Sequence, residues 1–369
     1  MNVTPTRRRT VAFGAVLIAG FLILGAAGCG GGGGGEAEPP KARTEAAPAA
    51  SKADEFENVP QLIDPKETAL SNLVRLTFKG DNGEAYWNGE AARILWQTAV
   101  EDRHPYDQIY MMNRDGSEKR MVSTGRGRCT CSYFVPGTET FIYASTHLRE
   151  KVPPKPAGRG GYEWAFDEAY DIFLADFSGQ VIKRLTDTHG YDAEGTVSPS
   201  GTRLVWTSNR EGDLEVYSMK MDGTDVKRIT RSEGYDGGAF YSPDESMIVY
   251  RGSRTGNYRD LQIYVCDAEG KEHRRLTNND KVNFAPYFHP DGDRIVFSSN
   301  MDGADPRDFD LYMMKIDGTE LTRITYTGGF DGFPHFSDDG KTLLFCSNRA
   351  DPTGGETDVY RADFTPYWQ

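Results

Sequence analysis

The sequence predicts an all-β fold, a six-bladed β-propeller whose N-terminal strand closes the last blade. Three observations carry this prediction. Closing threonines recur at spacings of 44 to 48 residues, each repeat holds four short apolar or alternating runs, and one fourth-strand segment stands alone before the first repeat. Four short strands per unit at this period are typical of a propeller blade.

The repeat is clearest between Thr196 and Thr230. Its first two strands are separated by the turn 198–201, and its third and fourth by Asp222-Gly223. An Asp-Gly pair between two apolar runs indicates a hairpin, because such a turn requires positive φ angles. The unit closes with Arg-Ile-Thr. Closing threonines at equivalent places are Thr186, Thr277 and Thr325. Two degraded copies precede this unit, at 85–122 and 132–186, and Thr186 closes the second of them.

The displaced strand fixes the number of blades. The last repeat ends at its third strand, 358–362, while Val74–Thr77 upstream of the first repeat matches the fourth-strand segment Lys183–Thr186. We therefore expect Val74–Thr77 to complete the last blade. Closing the ring in this way removes the open sheet edges that promote aggregation.

The N-terminus resembles the export signal of bacterial lipoproteins. Arg7–Arg9 precede an apolar run, 11–27, and the segment Ala26–Cys29 resembles a lipobox. We expect residues 1–28 to be a signal peptide and Cys29 to carry lipid. An uncleaved membrane anchor is the alternative, and a twin-arginine signal matches weakly.

The domain organisation follows from composition. In residues 29–70, Cys29 is followed by six glycines and then by a stretch rich in Ala and Pro, which predicts a flexible tether. Residues 71–369 are expected to form the propeller. These expectations place the protein in the bacterial cell envelope, on the periplasmic side or the cell surface. It would touch the membrane through its lipid anchor alone, and we expect a monomer.

Net charge limits the classes of partner, and the spacing of the cysteines indicates their role. The net charge is −13, and −16 without the first 28 residues. An acidic chain disfavours nucleic acid and anionic membrane surfaces, which need a positive footprint. Cys129, Cys131, Cys266 and Cys346 show no C-x-x-C spacing, so most are expected to be small core residues.

The repeats resemble those of TolB-like propellers. The resemblance rests on turns such as Ser242-Pro243-Asp244 and His289–Gly292, on the Leu-Thr or Ile-Thr closure, and covers residues 73–364. True TolB carries an α/β domain that binds partners of the Tol system. The residues between Cys29 and the propeller are too few to hold that domain. Related propellers precede serine hydrolase domains, but no G-x-S-x-G motif is present.

A candidate binding site lies at the channel mouth. In a propeller the first strand of each blade lines the channel, so the loops entering these strands meet on one face. They supply Glu84, Asp192, Glu194, Asp236, Asn283 and Asp331. An Asp there can alternatively accept backbone N–H bonds locally. Facing carboxylates repel one another unless they are protonated, paired or bridged by a cation. Ca²⁺, which binds oxygen ligands, would serve as such a bridge, and no other cofactor is expected.

A rim surrounds this ring on the same face. We expect it to contain His147, Trp164, Arg210, Arg254 and Arg349. An arginine there can bind a ligand or pair with a neighbouring carboxylate. The insertion at 149–169 can be a lid over the mouth or can pack on the blade edge.

Two functions remain open. The first is a binding or scaffold module for an envelope protein, peptide or saccharide, without catalysis, since no catalytic motif is found. The alternative is a hydrolase or lyase that acts on saccharides and uses two of its own carboxyl groups as acid and base. A buried pair such as Asp192 and Glu194 with one raised pKa would favour catalysis.

Overall fold

The computed structural model describes residues 56–100, 103–149, 167–255, 258–353 and 355–368. These residues form 25 strands in six antiparallel sheets, with two short 3-10 helices at Pro60–Leu62 and Tyr258–Asp260. The predictions for the signal segment, Cys29 and Trp164 lie outside the described residues. No helix among the described residues has the length and apolar character needed to cross a membrane.

The strands occur in blade order along the chain. Blade 1 comprises β3 (Asp81–Trp87), β4 (Arg93–Val100), β5 (His104–Asn113) and β6 (Arg120–Met121). Blade 2 comprises β7 (Cys129–Phe134), β8 (Thr140–Ser145), β9 (Asp171–Asp176) and β10 (Val181–Arg184). Blade 3 comprises β11 (Asp192–Val197), β12 (Arg203–Ser208), β13 (Glu215–Lys220) and β14 (Lys227–Arg228).

The second half of the ring repeats this pattern. Blade 4 comprises β15 (Tyr235–Tyr241), β16 (Met247–Ser253), β17 (Gln262–Asp267) and β18 (Arg274–Arg275). Blade 5 comprises β19 (Asn283–Phe288), β20 (Arg294–Ser299), β21 (Asp310–Lys315) and β22 (Thr322–Arg323). Blade 6 comprises β23 (Asp331–Phe336), β24 (Thr342–Ser347) and β25 (Asp358–Phe364), together with the N-terminal strands β2 (Leu70–Arg75) and β1 (Glu57–Asn58). The predicted six-bladed propeller is confirmed.

Blade 6 closes the ring as predicted. Strand β2 pairs antiparallel with β25, with Val74 opposite Arg361 and Arg75 opposite Tyr360. Leu73 is fully buried in the core shared by blades 5 and 6. The strand begins at Leu70, earlier than the sequence indicated, because a register shift after Ser71 lets both of its ends pair with β25.

Residues 56–69, assigned to the tether by sequence, are called here the N-terminal segment. Its strand β1 pairs with β2, and Val59 is buried in the core shared by blades 5 and 6, with the partly buried Leu62 and Ile63 packed against this core. Its Glu67 side chain is also buried and contacts Arg349. The contacts of the propeller therefore start upstream of residue 71.

The recurring threonine of each repeat has a structural role. In blade 3 the Thr230 hydroxyl accepts the backbone N–H of Val216 at 2.9 Å. Every other blade has the same bond from a backbone N–H to a hydroxyl oxygen, with a serine in place of the threonine in blade 1. The donor and acceptor residues are Ile109 and Ser123, Ile172 and Thr186, Ile263 and Thr277, Leu311 and Thr325, and Val359 and Thr77. The fourth strands are short, so this side chain satisfies a buried donor that the sheet leaves unpaired.

Candidate binding site at the channel mouth

A bulge in the first strand of every blade shapes the channel. In blade 3 the pairing with β12 shifts between Ala193 and Thr196, and Glu194 between them has a φ of 56°. Equivalent residues of all blades share a positive φ and line one central cavity: Glu84, Cys131, Glu194, Gly238, Ala285 and Phe333. Five of these residues are not glycine, and this conformation costs them energy.

The predicted ring therefore divides into two layers. Glu84 and Glu194 occupy the bulge position and line the cavity. Asp192, Asp236, Asn283 and Asp331 stand two positions earlier and are fully buried inside their blades. The sequence aligned Glu84 with the aspartates, whereas its blade places Asn82 at the aspartate position, accepting a bond from Trp96 as Asp192 does from Trp206.

The three buried aspartates pair with the predicted rim arginines. Asp192 accepts bonds from the Trp206 indole and from Arg210, each at 2.8 Å. Asp236 pairs in the same way with Arg254, and Asp331 with Arg349. The arginines come from the loop after the second strand, so each Asp–Arg pair lies within one blade. These carboxylates are thus counterbalanced by arginines and need no bridging cation.

Burial affects the protonation of one of them, Asp236. It raises the pKa of Asp236 to about 7 even though the Arg254 guanidinium lowers it. No group of three or more His, Cys, Asp or Glu side chains is placed to hold a metal ion among the described residues.

Asn283 and His147 are also held by local bonds. Asn283 donates to Asn279 at 2.9 Å and accepts from the Ser299 hydroxyl at 2.9 Å. His147 packs on Phe173, with ring centroids 4.2 Å apart, and burial lowers its pKa. Both side chains stabilise their own blades.

One side of the mouth is polar. The Glu194 carboxylate accepts bonds from the Tyr191, Thr207 and Tyr235 hydroxyls and from Arg251. Arg251 reaches it because Gly238 lacks a side chain, and a Cβ there would lie 2.7 Å from the guanidinium.

Glu84 completes this polar side. It accepts a bond from the Cys131 thiol at 3.6 Å, and burial raises its pKa to about 7. Cys131 therefore lines the cavity, while Cys129, Cys266 and Cys346 are buried as the sequence predicted.

The other side of the mouth is aromatic. Four phenylalanines from blades 5 and 6 contact one another with ring centroids 5.2 to 6.1 Å apart: Phe284, Phe309, Phe330 and Phe333. We call them the phenylalanine cluster. All except Phe284 are partly exposed. The mouth thus presents carboxyl, thiol and guanidinium groups opposite apolar rings.

An aromatic layer closes the channel beneath these groups. It consists of Tyr86, Tyr133, Phe240, Tyr287 and His335, which contact one another across the axis. The backbone N–H of Trp87 donates to His335 Nδ1, and burial lowers the pKa of His335 to about 3, so the imidazole ring is neutral.

The space left above this layer is small. The central cavity has a volume of about 30 Å³. That volume holds roughly two water molecules, far less than a sugar ring needs.

Sequence reasoning missed Arg251 and Phe309. Arg251 follows the apolar run 247–250 and faces Gly237 across the strand pair, and an arginine opposite a glycine pair was a usable signal. Phe309 precedes a third strand, and nothing in its local sequence distinguishes it from a core residue.

Comparisons with known proteins agree with this fold. The sequence matches the family model for the TolB beta propeller domain over residues 164–260 and 257–366, more than half of the chain. A comparison with curated protein sequences gives no match.

Solved structures of similar fold include two TolB proteins and one protein of a different name. A putative TolB from Agrobacterium tumefaciens has a TM-score of 0.57 at 20% identity, covering 84% of this chain and 97% of that one. TolB from Acinetobacter baumannii has a TM-score of 0.57 at 20% identity, covering 75% and 65%. XC5397 from Xanthomonas campestris, described as a gluconolactonase, has a TM-score of 0.57 at 13% identity, covering 86% of this chain and 99% of that one. At these identities the similarity shows the fold alone.

Proposed function

The chain belongs to the TolB β-propeller family, and we propose that its propeller is a cell-envelope binding or scaffold module for a protein, peptide or saccharide ligand. The observation that carries this proposal is the two-sided channel mouth. Partly exposed phenylalanines gathered at one place mark interaction sites more often than scattered ones do. Buried anchors surrounded by polar groups are typical of interface hot spots.

The closed channel restricts how a ligand binds. Because the aromatic layer and the small cavity leave no room for a ligand in the channel, the ligand contacts the face and inserts at most a small group. An apolar portion would pack on the phenylalanine cluster, and a polar portion would reach Arg251 or Glu84. A peptide carries both kinds of group close together.

The proposal includes the membrane anchor. The lipobox-like segment ending at Cys29 would hold the propeller at the envelope, and the glycine-rich residues after it would act as a spacer. One lipid chain alone binds a membrane reversibly, so more than one chain on Cys29 is needed for stable anchoring.

The test is affinity capture from envelope extracts of the source bacterium with the full chain immobilised. Phe330→Ala removes a ring from the phenylalanine cluster and should lower recovery of the partner at least about tenfold, as for an interface hot spot. Ile182→Ala is the control, since this side chain is exposed on an outer strand away from the mouth. Equal recovery with both variants would contradict the proposal.

A saccharide hydrolase or lyase remains the second candidate, and Glu84 favours it. A carboxyl with a pKa near 7 suits general acid catalysis at neutral pH. The small cavity opposes it. Turnover of an oligosaccharide panel that Glu84→Gln abolishes would establish catalysis, and turnover by neither protein would remove this candidate.

A further inference from the structure

Blade 6 contains a carboxylate docked on an arginine of the binding face. Arg349 already pairs with Asp331 at 3.0 Å. Glu67 of the N-terminal segment approaches the same guanidinium with both oxygens, at 3.2 and 3.4 Å from Nη1 and Nη2. Arg349 thus holds two carboxylates, one from its own blade and one from a separate segment. Its side chain is fully buried as a result.

Arg210 and Arg254 occupy the same repeat position in blades 3 and 4. Each pairs with its own aspartate, and their side chains are 17% and 33% exposed. In the part of the chain that the structure describes, Arg210 Nη1 and Arg254 Nη2 have no hydrogen-bond acceptor. Among the residues that the structure describes, these two arginines therefore have one carboxylate partner each, where Arg349 has two.

The three guanidinium groups are held in the same way. Arg210 lies over the Trp206 and Tyr217 rings at 5.0 Å, Arg254 over Tyr264 at 4.3 Å and Arg349 over Phe345 at 4.7 Å. Stacking on a ring fixes the plane of a guanidinium, and a fixed planar fork matches a carboxylate. The guanidinium edges of Arg210 and Arg254 that have no acceptor among the described residues are thus already oriented to bind a carboxylate.

The geometry points to a carboxylate-binding surface formed by Arg210 and Arg254 on the channel-mouth face, with an acidic peptide segment as its ligand. Glu67 on Arg349 is the internal example of the contact. Two neighbouring arginines favour a ligand with several carboxylates, because linked contacts strengthen one another. This inference rests on the proposed binding function and names the ligand class.

The test measures binding of a peptide of six glutamates to the full chain by calorimetry at low salt, with six glutamines as the reference. Arg210→Lys and Arg254→Lys keep the charge beside each aspartate but lose the planar fork. Each should weaken binding of the glutamate peptide about fivefold to tenfold, since charge-assisted hydrogen bonds are lost. A melting temperature close to that of the unmodified protein confirms that each variant is folded.

Lys227→Gln is the charge control. Lys227 pairs with Glu269 at the opposite end of the blades, so its loss removes one positive charge away from the proposed surface. It should leave binding unchanged. Equal weakening by Lys227→Gln, unchanged binding by both arginine variants, or equal binding of the glutamine peptide would overturn the inference.

The outcome is separable from that of the proposed function. If Phe330→Ala loses the envelope partner while the arginine variants retain it and bind the glutamate peptide no more weakly than the unmodified protein does, the binding module stands and the acidic ligand is wrong. If neither change affects the partner, the channel mouth itself is not the binding site.

Discussion

Replacing Arg349 should destabilise the propeller much more than replacing the Glu67 that contacts it. The side chains of Arg349, Glu67 and Asp331 are all fully buried. Arg349→Gln leaves two buried carboxyl groups without a positive partner, and breaking a buried pair in this way costs about 3–5 kcal/mol.

Glu67→Gln should change the free energy of unfolding much less. It keeps the Arg349–Asp331 pair, and the new amide oxygen can still accept the Tyr326 N–H that Glu67 accepts at 2.9 Å. Burial and Asp331 both raise the pKa of Glu67, so removing its charge also relieves an unfavourable interaction. We expect a loss of about 1 kcal/mol or less.

The assay is the free energy of unfolding from urea titrations of the full chain. Arg307→Gln is the control, because its side chain is 85% exposed and its pair with Asp305 lies at the surface. That variant should stay within about 0.5 kcal/mol of the unmodified protein. The reasoning is refuted if Arg349→Gln costs less than about 1 kcal/mol, or if Glu67→Gln costs as much as Arg349→Gln.

Three further predictions follow from single residues. Burial raises the pKa of Asp310 to about 7, so the stability that the protonated carboxyl contributes is present below pH 4 and is lost as the pH rises to 7. Asp310→Asn should therefore flatten the dependence of the unfolding free energy on pH by up to about 1.4 kcal/mol per pH unit. An unchanged slope would contradict this prediction. Thr230→Val leaves the Val216 N–H buried without an acceptor and should cost about 1–3 kcal/mol in urea titrations, whereas a cost near zero would remove the role assigned to the threonine. Cys29→Ser should abolish incorporation of labelled fatty acid and release the protein from the membrane fraction; continued labelling would disprove the lipid anchor.

The blade count could be predicted because it depends on local signals. Asp-Gly turns and closing threonines are short-range features that recur with the period of the repeat, and Val74–Thr77 carries the same signature out of place. The N-terminal segment could not be predicted in the same way. It has no repeat signature, and Glu67 is buried by Arg349, 282 positions along the chain.

The site was harder to predict because a bulge changes which residues face the channel. Polar residues at the ends of the first strands were found, but the positive φ of Glu84 and Glu194 turns these two into the cavity, whereas Asp192 remains inside its blade. The Asp–Arg pairs were foreseen as an alternative. Local sequence did not decide between pairing and an open ring, since the arginine comes from a different loop.

The most direct test of the central claim is which face of the propeller contacts its partner. A photo-crosslinking amino acid placed at His189 probes the channel-mouth face, and one at Glu269 probes the opposite face; their side chains are 90% and 60% exposed. Irradiation of cells making the full chain should give a cross-linked partner from position 189 and none from position 269. Cross-linking from position 269 alone, or equally from both positions, would contradict a binding site at the channel mouth.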